Sequence, residues 1–381
     1  DDDTGDDDTG DDDTGDDDTG DDDDTSPSCL SCPGDFVVAS EADLLAVSSC
    51  LCIGGSLEIA NTPASVVDLT ALAGLSSIGG DLELYDNASL SSLLGLGDLV
   101  FVGGGLFVEG NGALEGTGGL SGLQSIGGDL FFEDNSALVT VDGMVALSSI
   151  GGGLEIADHP SLTSLAGLSG VTTIDIDLRI HDNALLVDLT GLENLTYLGG
   201  DLDIHHNPAL RNIDALAGIG SVASDLRVHD NDLLTSVDGL GNINGVGDDL
   251  EIAWNPQLID VDGLASITVV GLDMYIYRNE DLAHLDGLSN LTAVDGDLHV
   301  YRNDLIENLS GLNSVTAVGS DLFIEGNDAL TSVDGLGNIV SVSDDLDIVN
   351  NPVLCQLDAQ SIASAIQVSG TTTVDNNGAC P

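Results

Sequence analysis

Lysine is absent from this 381-residue sequence, arginine occurs five times, and aromatic residues make up only 3% of it. Against those five cations stand 67 Asp and Glu residues, giving a formal net charge of −62. A chain of that sign repels nucleic acid and anionic lipid surfaces, which excludes both as partners and favours solubility and cation binding. No apolar stretch approaches the ~20 residues of a membrane span, so direct membrane insertion is not expected. No helix is legible over ten residues. Neither a Ser/His/Asp set, a phosphate-binding loop nor a catalytic cysteine is discernible.

Cysteine is scarce and confined to the ends: Cys29, Cys32, Cys50 and Cys52, then Cys355 and Cys380. An even, terminal set reads as disulfides formed in an oxidising compartment. Zinc is the competing reading of the first four, but a C-x-C half-site with no His nearby suits it poorly. The sequence opens at Asp1 without a signal peptide, as a processed form would. Four N-x-[ST] acceptor sites (Asn87, Asn194, Asn290 and Asn308) fit an extracellular chain.

Residues 1–25 are four copies of DDDTG followed by DDDDT. With nothing apolar to bury, residues 1–28 are expected to form a disordered acidic spacer. An EF-hand loop alternates its ligands and ends in Glu, and this segment does neither.

Beyond the spacer one period dominates. Asn recurs every 24 residues from Asn87 through Asn183 and Asn279 to Asn351, with His159 standing in once. Five positions earlier stands a Leu (Met274 once), three earlier an apolar residue, and three later a Leu or, once, Ile306. The run L-x-[ILVF]-x-x-N has the period-2 spacing of a short strand with one buried face. Pro208, Pro256 and Pro352 directly follow their Asn, which marks where the strand turns. A buried Asn in every coil would hydrogen-bond the backbone of neighbouring turns. The rest of each coil, such as 238–252, adds apolar residues at spacing three and Gly-rich corners. One coil cannot bury its own apolar face, so stacking must supply the core. The expected fold is all-β: a parallel β-helix or solenoid of 24-residue coils with disulfide-capped ends. Its expected parts are a cysteine-containing cap at 29–56, solenoid repeats at 57–354 and a C-terminal cap coil at 355–381.

The consensus L-x-x-[IV]-G-x-D-L-x-I-x-x-N-x-x-L-x-x-[LV]-x-G-L, over roughly residues 53–377, resembles the leucine-rich β-helix of receptor L domains. Such repeats form ligand-binding ectodomains of insulin- and EGF-type receptors and occur in bacterial and fungal surface proteins. The chain lacks the receptors' cysteine-rich module, membrane segment and kinase, so signalling does not carry over. The Asp-rich leader resembles the spacer that follows the lipid-anchored Cys of bacterial surface lipoproteins. That likeness implies a cell-surface location and an anchor through a residue upstream of Asp1.

Side chains four and two positions before each Asn should point outward and stack into columns. In the earlier coils these are Glu83, Tyr85, Phe107, Glu109, Phe131 and Glu133. Further on they are Arg179, His181, His205, Arg227, His229, Tyr275, Tyr277, His299 and Tyr301, with His206, Trp254, Arg278 and Arg302 in the adjoining turns. The only Trp, four of five Arg and five of seven His thus fall on one strip between 179 and 302. Aromatic residues and Arg anchor interfaces, so the strip is the candidate binding site for a surface protein or glycan. The plainer reading is that stacked rings and Arg–Asp neighbours only stabilise a parallel sheet.

Two further columns invite a metal. His181, His205 and His229 would lie close together in successive coils. An Asp precedes most strands, and Asp201, Asp225, Asp249 and Asp273 are the Ca²⁺ candidates, although capping of turn amides would offset their charge equally well. No cofactor is otherwise implied. Pectate-lyase-like enzymes also use carboxylates on a solenoid face, but coils without insertions leave no loops for a cleft, and no carboxylate pair stands out as acid and base. A non-enzymatic adhesion or binding module is therefore expected, with a Ca²⁺-stabilised spacer protein or a polysaccharide-active enzyme as alternatives.

Overall fold

The computed structural model describes residues 31–380. The expected acidic spacer and Cys29 lie outside the described residues. The dominant feature is a 15-stranded parallel sheet that runs from Phe36–Val38 to Thr372–Asp375. Between these ends each strand is four residues long and follows the L-x-I-x pattern. In Leu178–His181, for example, Leu178 and Ile180 are buried while Arg179 and His181 are half-exposed. Register is uniform: Leu82 pairs with Leu106, Leu202 with Leu226, and Leu298 with Leu322. Like residue therefore stacks on like along the whole sheet, and a slip of one position would turn every buried Leu outward.

A second face carries two-residue strands. They form an 8-stranded sheet from Ser31–Cys32 to Tyr197–Leu198 and a 5-stranded sheet from Val269–Val270 to Gln367–Val368. Between them Val222 and Val246 make single bridges only, the second reaching Val270 at the start of the 5-stranded sheet; glycines flank Val246 on both sides, and glycine weakens a strand. All the pairing among described strands is parallel, with short turns between repeating strands, an arrangement that fits a β-solenoid.

The third face differs from the all-β expectation. Among the described residues it is a row of ten 3₁₀ helices, such as Asp286–Leu288. Leu282, Leu285, Leu288, Leu291 and Val294 are all at most 1% exposed, so the spacing of three seen in the sequence is the repeat of a 3₁₀ turn. Gly287 within that turn is obligatory for space: a Cβ there would overlap the carbonyl oxygen of Val261 in the previous coil.

Two α-helices, also not foreseen, sit at the ends of the stack. Helix α1 (Glu41–Val47) starts at Ser40, whose Oγ accepts from the Asp43 amide (3.2 Å) and donates to the Asp43 carboxylate (2.7 Å), a reciprocal cap. It buries Leu44 and Val47 on the first coil, and the Cys32–Cys50 disulfide fastens the same region. Helix α2 (Gln356–Ala365) buries Ala359 and Ala363, and Cys355–Cys380 ties its start to the end of the chain. Cys52 is also disulfide-bonded, so the zinc reading of these cysteines falls away. An exposed solenoid end leaves apolar core and strand edges bare; a helix clamped by a disulfide covers each.

The Asn column forms the hydrogen-bonded spine of the stack. Each side chain is 0% exposed. Asn255 shows the pattern: its Nδ2 donates to Val228 O (2.8 Å) and its Oδ1 accepts from the Asn231 amide (3.1 Å). At His159 the spine breaks. His159 Nδ1 accepts a longer bond from the Asn135 amide (3.3 Å), while His159 Nε2 and Asn183 Oδ1 are buried without a partner. Burial also pushes the His159 imidazole down to about 4.

Candidate binding face

From Leu82–Tyr85 to Leu346–Val349 every strand of the main sheet leaves through a left-handed residue placed just before the Asn or, once, His159. Asp86, Asp134, Asp158, Asp182 and Asp230 hold φ between 49° and 57° there, and Gly110, Gly326 and Asn350 take the same role. Asp, Asn and Gly tolerate this conformation; larger side chains meet their own backbone. Four coils nevertheless use bulky residues: His206 (φ 51°), Trp254 (φ 53°), Arg278 (φ 53°) and Arg302 (φ 56°). All four are on the strip anticipated from sequence. Trp254 is 40% exposed, and Arg278 packs over its ring with the guanidinium carbon 4.0 Å from the centroid. A pair of this kind at an exposed site is worth about 0.5–1 kcal/mol.

The strip is not continuous. In register, His229 pairs with Ala253 and Ala253 with Tyr277, and Ala253 is fully buried. The small side chain divides the strip into an imidazole half and an aromatic half. On the imidazole side, the ring of His205 stacks between those of His181 and His229, with centroids 4.6 and 4.7 Å apart. His206 meets His205 and His229 edge-on. Carboxylates surround these rings: His181 contacts Glu155 (3.3 Å) and Asp182 (3.0 Å), His205 contacts Asp203 (2.9 Å), and His229 contacts Asp230 (2.9 Å). The bond to Glu155, assisted by Asp182 and opposed by burial, pushes His181 up to about 9. Burial alone would raise Asp203, but the hydrogen bond from His205 and the charges of His205, His229 and Arg227 hold it below the usual carboxylate range.

On the aromatic side, Tyr277 and Tyr301 lie face to face with centroids 4.5 Å apart and planes 6° from parallel. Tyr277 donates to Glu251 Oε1 across Ala253 (2.5 Å), and Tyr275 donates to Asp273 Oδ2 (2.9 Å). Burial, then these carboxylate contacts, raise both phenols. His299 packs against Tyr275 on one side and Phe323 on the other. Burial depresses its imidazole despite Asp297, Asp321 and Asp273 nearby.

Two of the strip's arginines are held within the protein. Arg179 bridges Asp177 (2.7 Å) and Asp201 (2.9 Å), and Arg227 contacts Asp225 (2.6 Å), Asp249 (3.6 Å) and Glu251 (3.9 Å). For Arg179 and Arg227 the sheet-stabilising reading therefore has direct contacts behind it. Arg278 and Arg302 stand apart on the turn, the first on Trp254 and the second exposed.

The Asp column caps amides. Asp201 Oδ1 accepts from the Asp225 amide (3.2 Å), Asp225 from Asp249 (3.0 Å), Asp249 from Asp273 (3.1 Å) and Asp273 from Asp297 (2.7 Å). Their second oxygens face Arg179, Arg227 or Tyr275. All four Ca²⁺ candidates thus have protein donors at both oxygens.

A cleft of about 300 Å³ on the N-terminal side of the strip was not anticipated. Its walls include Phe107, Phe131, Glu155, Asp177 and Arg179, and the two Phe rings lie 6.3 Å apart. The signal for it was in the sequence. Gly105 and Gly153 interrupt the Asp column on either side of Asp129, and a Cβ at Gly105 would strike the Phe107 ring.

No protein-family model matches this sequence, and no curated protein matches it. Among the described residues no helix is long and apolar enough to cross a membrane.

Proposed function

We propose that this chain is a non-enzymatic binding module of the extracellular or cell-surface space, presenting the strip from Arg179 to Arg302 to a glycan or a surface protein. The observation that carries this reading is the use of His206, Trp254, Arg278 and Arg302 at left-handed positions. Trp254, Arg278 and Arg302 each cost of order 1–2 kcal/mol relative to Gly there, while His, like Asp and Asn, enters this backbone more readily. The fold itself has no use for that cost, since other coils fill the position with Asp, Asn or Gly. Side chains kept at such a cost, and clustered beside stacked tyrosines, are kept for contact with something outside the chain.

The finer architecture belongs to the same reading. Parallel strands joined by crossovers turn right-handed in about 98% of cases, which supports a right-handed solenoid of 24-residue coils like that of receptor L domains. Disulfides at both ends support an oxidising location, and the acidic leader supports a tether to the cell surface. One observation favours a second reading as a polysaccharide-active enzyme: the cleft beside Arg179 gathers Asp129, Glu155 and Asp177 around a basic residue.

The test is a glycan-array and cell-surface binding screen of the whole chain, with the triple variant Trp254→Ala, Tyr277→Ala, Tyr301→Ala as control. Saturable, product-free binding that the variant loses is the expected result. Cleaved polysaccharide would move the chain to the enzyme class. Binding that survives the triple substitution would make the aromatic half structural.

A further inference from the structure

The imidazole half of the strip has a geometry that ligand binding through aromatic anchors does not use. Asp203 Oδ1 is shared by two imidazoles, His205 Nδ1 at 2.9 Å and His229 Nε2 at 3.7 Å. The second distance is too long for a hydrogen bond. The other nitrogen of His229, Nδ1, lies 2.9 Å from Asp230 Oδ2 and donates to it. In the neutral ring that donation leaves Nε2 with a bare lone pair aimed at the Asp203 carboxylate. Across that 3.7 Å gap a cation, either a proton on the ring or a metal ion, would join the two atoms.

A proton would serve, but the stack opposes it. Each added proton would put another positive charge on a stack of three imidazoles whose centroids lie 4.6 and 4.7 Å apart. A single divalent ion would replace the proton that His205 Nδ1 shares with Asp203, neutralise the carboxylate and take one lone pair from each imidazole without charging either ring. The donor atoms of Asp203, His205 and His229 all lie within 4.8 Å of one another. Ligands at about 2.0–2.1 Å from one tetrahedral ion stand about 3.3 Å apart, so small ring rotations would close the set. The side chains are 17–20% exposed, which leaves a path for entry and an outward position for water.

We infer that Asp203, His205 and His229 form a site for a borderline divalent transition metal of the Zn²⁺ class. Two imidazoles and one carboxylate select such an ion over Ca²⁺ or Mg²⁺, which take oxygen ligands. Asp230 acts as the outer partner that fixes the His229 tautomer and orients the ring, the carboxylate–histidine–metal arrangement found around imidazole ligands. The site is independent of whether the aromatic half binds a macromolecule, and it is tested on the isolated chain.

The experiment is Zn²⁺ titration of the whole chain against a chromophoric chelator, with excess Ca²⁺ present to occupy the exposed carboxylates. The expected result is one site that disappears in His205→Gln/His229→Gln and weakens about 10- to 100-fold in Asp230→Asn. Asp232→Asn removes the same charge from a neighbouring exposed carboxylate and should change affinity less than twofold. Equal Zn²⁺ uptake by wild type and His205→Gln/His229→Gln would overturn the site. A second readout needs no variant: Zn²⁺ should shift the imidazole nitrogen resonances of His205 and His229 in the wild-type chain and leave those of His284 unmoved. Shifts at His284 alone, or at no histidine, would also overturn it.

Discussion

Arg278 lies over Trp254 with its guanidinium carbon 4.0 Å from the ring centroid, and both residues hold the same left-handed backbone, φ 53°. Two strained turns in adjacent coils thus support a single exposed contact. Glycine relieves the strain, whereas alanine keeps it; both remove the ring. Trp254→Gly is therefore expected to be more stable than Trp254→Ala by about 1 kcal/mol, read from paired denaturation curves. Both should lose the binding expected in the glycan and cell-surface screen. A Trp254→Ala variant as stable as Trp254→Gly would show that the turn carries no strain.

His159 interrupts the Asn spine and leaves two buried polar atoms unpaired. His159→Asn should restore both the amide-to-Oδ1 bond and the acceptor role of Asn183. A gain of about 1–3 kcal/mol is expected, the usual cost of an unsatisfied buried group. Hydrogen exchange of the coils between Asn135 and Asn183 would measure it, and unchanged exchange would count against the break.

The same residue gives the pH dependence a definite sign. Its imidazole sits at about 4 in the folded chain and near 6.5 when unfolded, so the unfolded state binds the proton more tightly. The stability that neutral His159 permits is fully present above about pH 6.5. It is lost as pH falls through 6.5 towards 4, by about 3 kcal/mol in all. Denaturation of wild type and His159→Asn at pH 7.5 and pH 4.5 should diverge by that order. Parallel losses in the two proteins would show that the carboxylates, and not His159, set the acid response.

An intact rung should behave in the opposite way. Asn279 donates from Nδ2 to Ile252 O (2.9 Å), and its Oδ1 accepts from the Asn255 amide (3.1 Å). Asn279→Ala strands a buried carbonyl and a buried amide, for a cost of roughly 2–5 kcal/mol. Because each coil contacts only its neighbours, the loss should appear as faster exchange near residues 252–303 before it spreads.

The terminal disulfides should matter locally. Cys355 and Cys380 close a loop with a sequence separation of 25, which is worth about 3 kcal/mol. Cys355→Ser/Cys380→Ser is expected to free helix α2 and the Thr372–Asp375 strand to exchange while the strands near Asn207 and Asn231 stay protected. Uniform loss of protection would mean that the stack unfolds as one unit.

Much of the architecture was legible because a repeat repeats its physics. One L-x-I-x-x-N segment implies a half-buried strand and a turn, and twelve copies in phase imply stacking. The helical parts were harder. A 3₁₀ turn of three residues produces apolar spacing that a search for strands or for 3.6-residue helices passes over. Helix α2 hides for a different reason: its buried side chains are Ala359 and Ala363, too small to stand out as an apolar face. The sequence reads the strip as one continuous column, and the break at Ala253 is visible only in the structure. A small residue in a column is silent until its two neighbours are known to be tall.

The sequence by itself determined the period, the face on which each side chain lies, and the concentration of Arg, His and Trp between 179 and 302, because these follow from spacing and composition alone. Tertiary structure decided which of those residues are engaged already. Only stacking brings Asp201 under Arg179 and sets Asp203 against His229, since these neighbours come from different coils and their atoms meet at distances that no spacing rule contains. The left-handed turns belong to that second kind of knowledge as well. Trp254 and Arg278 stand out in the sequence by composition, but that they occupy backbone suited to Asp, Asn or Gly is visible only in the structure.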